Sequence, residues 1–321
     1  MPQHYPKPPN SHLLENISTK TEVKFKEVSS EAFKKLGLVT DAIAIDFDND
    51  NDQDLIIVGE WMPITFLEND NGYFNNVTKK QSLKNTTGWW YSIQKSDIDN
   101  DGDVDFVVGN LGLNYKYKAT PTKTFDIYAN DFDNNKSLDV VLGYYEGKTQ
   151  YPVRGRQCSS QQVPGIKKKF KNYKKFANAD LVAIYTKDKL EKGIHYKAET
   201  FASVYVENQG NGQFKMTQLP KEAQFSSINT ILINDFNKDK TNDILVAGNL
   251  YQSEAETPRN DASIGLLIAS TKEGFHSTAL KTTGFLADKD VKQMKFIIIK
   301  GKKCVLIANN NEALQIFQIN N

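Results

Sequence analysis

The sequence predicts an all-β fold, a β-propeller of four-stranded antiparallel blades. Two recurring motifs carry that prediction. An aspartate-rich loop occurs four times in one register, each copy between two short apolar strands, and Asn/Gly hairpin signals followed by Phe recur farther along the same units. One full unit reads strand A, acidic loop, strand B, short loop, strand C, hairpin turn, strand D. Radial repetition of such a sheet is the propeller architecture.

The first loop carries Asp46, Asp48, Asp50, Asp52 and Asp54, and the second Asp97, Asp99, Asp101, Asp103 and Asp105. The third carries Asp131, Asp133, Asn135, Ser137 and Asp139, and the fourth Asp235, Asn237, Asp239, Thr241 and Asp243. Oxygen side chains stand at loop positions 1, 3, 5 and 9, and position 7 can add its backbone carbonyl. That spacing suits a hard cation wanting six to eight oxygens, and Ca2+ fits it better than Mg2+, so about three or four ions are expected. Crowded carboxylates repel one another without metal, which couples binding to folding. Only the second loop has glycine, Gly102, at position 6, where the turn is sharpest. Acidic turns that bind nothing are the alternative.

Strands follow from the flanks. Residues 42–45, 91–95, 125–129 and 228–233 precede the loops, and 55–59, 106–109, 140–143 and 244–248 follow them. The second motif runs over 66–78 and 206–217, where Asn-Gly and Gly-Asn-Gly are hairpin signals. Together these residues resemble the FG-GAP-like, or VCBS, repeats of calcium-decorated β-propellers. From about Gly88 onward, the landmarks at 88–90, 109–114, 151–156 and 199–205 resemble the C-terminal part of large envelope-associated repeat proteins of Bacteroidetes-type bacteria. The resemblance implies a calcium-bearing repeat fold in an extracellular or cell-envelope setting. The Phe-Gly and Gly-Ala-Pro tags of integrin repeats are missing, so integrin-like ligand binding does not carry over.

The expected domain layout is an extended lead-in over 1–11 and a propeller over 12–321. Blades are expected at about 40–84, 88–120, 123–219, 225–281 and 290–319, with strands in 12–29 completing a blade and an insertion at 151–197 within the third. The five units close a ring through the N-terminus, or they form part of a longer, seven-bladed ring. The insertion has helical character: Val163, Ile166, Phe170, Tyr173 and Ala177 keep the 3-4 spacing of one helix face. Lysines 167, 168, 169, 171, 174 and 175 lie between them, read either as a basic patch for an anionic partner or as the solvated side of an amphipathic helix.

Composition excludes more than it selects. Forty basic against 39 acidic residues give no global pull toward nucleic acid, and no nucleic-acid partner is expected. No apolar run is long enough for a transmembrane helix, and the N-terminus lacks the apolar stretch of a signal peptide. Cys158 and Cys304, far apart in unlike contexts, are expected to remain thiols, with a disulfide between them as the alternative.

If the acidic turns occupy one face, the B–C loops and the starts of the A strands occupy the other. That face collects Trp61, Trp89, Asn110, Asn114, Tyr144, Tyr145, Arg154, Arg156, Tyr251 and Arg259. Aromatics beside amide and guanidinium groups suit a protein or glycan ligand; packing between blades is the competing reading for the tryptophans. The histidines His4, His12, His195 and His276 stand apart, and no nucleophile elbow, zincin helix or phosphate loop appears. The expectation is a non-enzymatic, calcium-stabilised binding module of the extracellular space or cell envelope. A structural spacer in a larger secreted protein, or an enzyme with its site in a central channel, is the alternative.

Overall fold

A computed structural model describes residues 4–34, 36–210, 212–253 and 257–320. Met1–Gln3 of the expected lead-in and Asn211 of the second hairpin signal lie outside them. The chain is built almost wholly of antiparallel sheets.

A short hairpin, β1 (Leu14–Asn16) and β2 (Phe25–Glu27), comes first. The first four-stranded sheet follows, with β3 (Leu38–Ile45), β4 (Asp54–Met62), β5 (Thr65–Asp70) and β6 (Tyr73–Asn76) in sequential order. The β5–β6 turn is Asn71-Gly72, both at positive φ (52° and 92°), the geometry a two-residue hairpin of this twist demands. The two-residue β7 (Gly88–Trp89) pairs with the far end of β4.

The second sheet begins with β8 (Ser92–Ser96) and β9 (Asp105–Gly109), and here the chain departs from simple repetition. Next come β10 (Phe125–Asn130), β11 (Asp139–Glu146) and β12 (Thr149–Pro152). Five short helices follow: α1 (Arg156–Gln162), α2 (Gly165–Lys169), α3 (Tyr173–Ala177), α4 (Leu181–Tyr185) and α5 (Lys187–Lys192). Then β13 (Ile194–Ala198) returns to pair with β10, giving the sheet order β12-β11-β10-β13. Only then do β14 (Val204–Asn208) and β15 (Phe214–Gln218) appear, and β14 pairs with β9. Residues 204–218 therefore complete the second sheet rather than the third blade expected over 123–219. The whole sheet β10–β13, with its helices, is inserted between the second and third strands of that blade.

The remaining sheets are regular. One holds β16 (Thr230–Asn234), β17 (Asp243–Ala247), β18 (Leu266–Thr271) and β19 (Gly274–Thr278). After α6 (Leu280–Thr283), a three-stranded sheet follows: β20 (Val291–Ile299), β21 (Lys302–Asn309) and β22 (Gln315–Gln318). Where the other units have an acidic loop, β20 and β21 are joined by Lys300-Gly301 at φ 48° and 76°, an ordinary tight hairpin.

Face-to-face packing orders the sheets. Phe66, Trp90 and Phe106 share a core between the first and second. Val107, Ile231 and Ile244 lie between the second and that of β16–β19, and Leu245, Met294 and Val305 join the latter to the last. The first strands are stitched accordingly: Asp41 Oδ2 accepts from Ile93 N–H (2.9 Å), Ser92 Oγ donates to Ile228 O (2.9 Å), and Thr230 Oγ1 accepts from Met294 N–H (3.0 Å). Four sheets thus form a propeller-like arc. Among the described residues β20 shows no comparable packing against β3.

Two further expectations are corrected, and the lead-in is anchored: Tyr5 accepts a hydrogen bond from Trp61 Nε1 at 2.6 Å and reaches Glu60 at 3.3 Å. β1 and β2 pair with each other rather than with β22, so the strands of 12–29 do not complete the last blade. The single helix expected through Val163–Ala177 is broken at Val163 and Phe170, which leaves Tyr173 exposed and buries Phe176 instead. No disulfide joins Cys158 and Cys304.

Candidate metal centres

The four acidic loops fold alike because the side-chain oxygens at positions 1 and 5 cap the backbone of each turn. Position 1 accepts from the amides at positions 5 and 6: Asp46 takes Asp50 and Asn51 N–H, and Asp131 takes Asn135 and Lys136 N–H. Position 5 accepts from position 7 in every loop, at 2.7–2.9 Å. Local side-chain acceptors of this kind are what Asp and Asn supply in turns. Two residues per loop stand at positive φ, at positions 4 and 6: Asn49 and Asn51, Asn100 and Gly102, Asn134 and Lys136, Lys238 and Lys240. Glycine at position 6 of the second loop meets the requirement without strain, while Lys136 and Lys240 adopt it at some cost.

The carboxylates left over converge. Oxygens of Asp46, Asp48 and Asp50, of Asp97, Asp99 and Asp101, and of Asp131, Asp133 and Asp139 lie within 4.8 Å of one another in each group. Asp97 Oδ1 and Asp133 Oδ1 are buried without a hydrogen-bond partner. Burial, followed by the neighbouring Asp50 or Asp101, pushes the carboxyls of Asp48 and Asp99 up. Oxygen-only donors, crowded negative charge and orphaned buried acceptors fit a hard divalent cation.

The fourth loop differs. Asn237 Nδ2 donates to Asp239 Oδ2 at 2.9 Å, so amide and carboxylate satisfy each other, and no acidic group of this kind occurs at 235–243 among the described residues.

Nor do the ninth aspartates behave as the spacing suggests. Asp54, Asp105 and Asp243 are fully buried, with both oxygens engaged. One oxygen accepts the amide of loop position 2, namely Phe47, Ile98 or Phe236; the other accepts the amide of the third strand, namely Asn69, Asn208 or Ser270. Burial pushes Asp54 and Asp105 up to about 6. These residues bolt the loop to the sheet. Asp139 holds only Phe132 N–H, because β12 pairs with the far end of β11 and does not reach it, and Asp139 joins the acidic group of its loop. At position 7, Asp52 Oδ2 accepts from Asn71 N–H, while Asp103, Ser137 and Thr241 donate their amides to position 5.

The opposite face is not open. The inserted sheet covers the part around Trp61 and Trp89, because the B–C crossing of the second blade is where that sheet enters and leaves. Trp61 is 5% exposed and stacks on Phe125 (5.9 Å, 12°), and half-buried Trp89 meets Trp61, Phe125 and Phe201 edge-on. Asn110 is fully buried: its amide donates to Thr200 O and Ala202 O, and its carbonyl accepts from Trp89 and Leu111 N–H. Arg156 donates to Phe170 O and lies over the Tyr173 ring. These four hold the fold together rather than present a ligand surface. Asn114, Tyr144 and Arg259 are exposed, and Tyr145, Arg154 and Tyr251 half-buried, with Arg259 stacked over Tyr251 at 4.9 Å.

One constellation has no signal in the sequence. Asp126 Oδ1 lies 2.6 Å from His195 Nε2, Thr124 Oγ1 donates to Asp126 Oδ2, and the His195 ring stacks on Tyr128 at 4.2 Å. Only the β10–β13 pairing, Tyr128 opposite His195, brings these residues together; they brace the inserted sheet.

No helix among the described residues is long and apolar enough to cross a membrane. No curated protein matches the chain. Residues 46–108, from the first acidic loop to the end of β9, match the FG-GAP-like repeat, a β-propeller type of repeat.

Proposed function

We propose that the protein is a calcium-stabilised, non-enzymatic binding module of the extracellular space or cell envelope, with a protein or glycan as its partner. The observation that carries this reading is the set of three carboxylate groups in equivalent loops, with buried oxygens of Asp97 and Asp133 left unpartnered. Asp46, Asp48 and Asp50 would hold one ion, Asp97, Asp99 and Asp101 a second, and Asp131, Asp133 and Asp139 a third. A bound cation would neutralise the crowded carboxylates and lock each turn to its sheet. Repetition favours a structural ion, since a catalytic centre occurs once. Two of the three loops lie within the FG-GAP-like match.

Thermal unfolding in Ca2+ and in excess EGTA, with a metal count on the dialysed protein, tests the reading. The expected result is a Tm raised by Ca2+ and about three bound ions, fewer than four because the fourth loop is closed on itself. An unchanged Tm with no bound metal would sink it.

A further inference from the structure

A cavity of about 410 Å³ opens beside the inserted sheet, a size within the range of small-ligand sites. Phe125, Tyr117, Tyr144 and Tyr145 give it an aromatic wall beside Val153; Lys116, Lys118 and Lys123 line it from the 116–123 loop. No aspartate or glutamate lines it among the described residues. In a chain with a net charge of only +1, that is a local concentration of positive charge over apolar rings.

The wall is rigid. Tyr117 is buried and stacks on Phe125 at 4.4 Å and 24°, and Phe125 stacks in turn on Trp61. The aromatic cluster of the covered face thus forms the back of this cavity. The lysine-bearing loop is also held. Thr120 and Lys123 exchange backbone hydrogen bonds at 2.9 and 3.2 Å, Lys118 Nζ reaches Leu113 O, and Lys116 Nζ lies 5.1 Å from the Tyr117 ring.

We propose that this cavity binds the anionic sugar rings of an acidic glycan. The inference rests on the binding-module reading and names its ligand class. Aromatic faces suit the C–H face of a pyranose, and ammonium groups act as point charges for carboxylate or sulfate. Three cations on separate stems match charge spread one per sugar along a chain, rather than the concentrated charge of a polyphosphate. Uronate and sulfate esters share this chemistry.

Calorimetric titration of the Ca2+-loaded protein with tetragalacturonate, a sulfated carrageenan tetrasaccharide and neutral maltotetraose separates the sources. At least one acidic oligosaccharide should bind, weakening as salt rises, and maltotetraose should not. Lys123→Glu should weaken binding several-fold while leaving Tm unchanged, since its side chain is exposed and only its backbone holds the loop. Tyr144→Ala should weaken binding several-fold. Equal binding of neutral and acidic sugars, undiminished affinity in the charge-reversed variant, or no binding of either acidic probe at millimolar concentration would overturn the inference. A neutral glycan or a protein ligand found instead would leave the binding-module reading standing; a Tm indifferent to Ca2+ would remove its calcium basis whatever the sugar result.

Discussion

Within each loop, aspartates of one chemical type do two jobs, and the division is set by what surrounds each oxygen. Asp101 is exposed and turns an oxygen toward Asp97 and Asp99. Asp105, four residues on, is buried and accepts from Ile98 N–H, Asn208 N–H and the Tyr205 hydroxyl. An asparagine at 105 would turn an NH2 toward a buried donor, which costs about 1–3 kcal/mol. Asp105→Asn should therefore lower stability by that amount in urea titrations run in EGTA, where no ion can contribute. Asp101→Asn keeps the acceptor for Asp103 N–H; it should leave stability in EGTA nearly unchanged while reducing the bound Ca2+ by one. If Asp105→Asn lost an ion at no cost in EGTA, Asp105 would be a ligand and the bolt would be refuted.

Each strand that follows an acidic loop carries a glycine or is followed directly by one, at 59, 109, 143 and 248, and what surrounds these glycines differs between the arc and the inserted sheet. A Cβ on Gly59 would stand 2.2 Å from Leu38 O, on Gly109 2.2 Å from Ile228 O, and on Gly248 1.9 Å from Ser227 O. All three clashes are with backbone: at Gly109 with the segment leading into the next sheet of the arc, at Gly59 and Gly248 with the chain beside or leading into the neighbouring strand of the same sheet. At Gly143, in the inserted sheet, the nearest atom is Leu181 Cδ1 at 2.8 Å, the end of a side chain that can turn aside. Gly109→Ala should destabilise by about 1–3 kcal/mol or more, and Gly143→Ala by clearly less, in urea unfolding; equal costs would place the inserted sheet in the same packing environment as the arc. What was legible in the sequence follows the same line. The loops, their flanking strands and the Asn71-Gly72 hairpin are local, so spacing and turn chemistry reveal them. The pairing of β14 with β9 is not local: the β-prone run Val-Tyr-Val at 204–206 says that a strand is present but not which strand lies beside it. For that reason residues 204–218 read as part of the blade they follow in sequence. Trp61 and Asn110 read as ligand-facing for the same reason, because their positions at the ends of strands were visible and the sheet that covers them was not.

At the scale of the molecule, one sheet inserted into a blade separates two ends of the arc that have different tasks. The acidic loops lie at one end, where the second and fourth are tied directly: Asn242 Nδ2 donates to Ser96 Oγ and Asp97 O, and Asn100 Nδ2 reaches Lys240 O. At the other end, the inserted sheet rests on Trp61 and Trp89 through Phe125, Phe201 and Tyr117. The inserted sheet has its own second core beneath the helices, formed by Tyr128, Phe132, Leu181 and Tyr185, so its attachment to the arc is a separable contact. Trp61→Ala removes a buried aromatic from that contact and the hydrogen bond to Tyr5, a loss worth about 3–5 kcal/mol. Its effect should be confined. Amide hydrogen exchange should quicken in β10, β13 and the lead-in around Tyr5, whereas β20–β22, at the far end of the arc, should keep their protection. Calcium should act in the opposite pattern, slowing exchange at β8, β9 and their loop. Exchange that quickened uniformly through all sheets in Trp61→Ala would mean that arc and inserted sheet unfold as one unit, and that the wall of the cavity beside the inserted sheet cannot be loosened without losing the propeller-like arc itself.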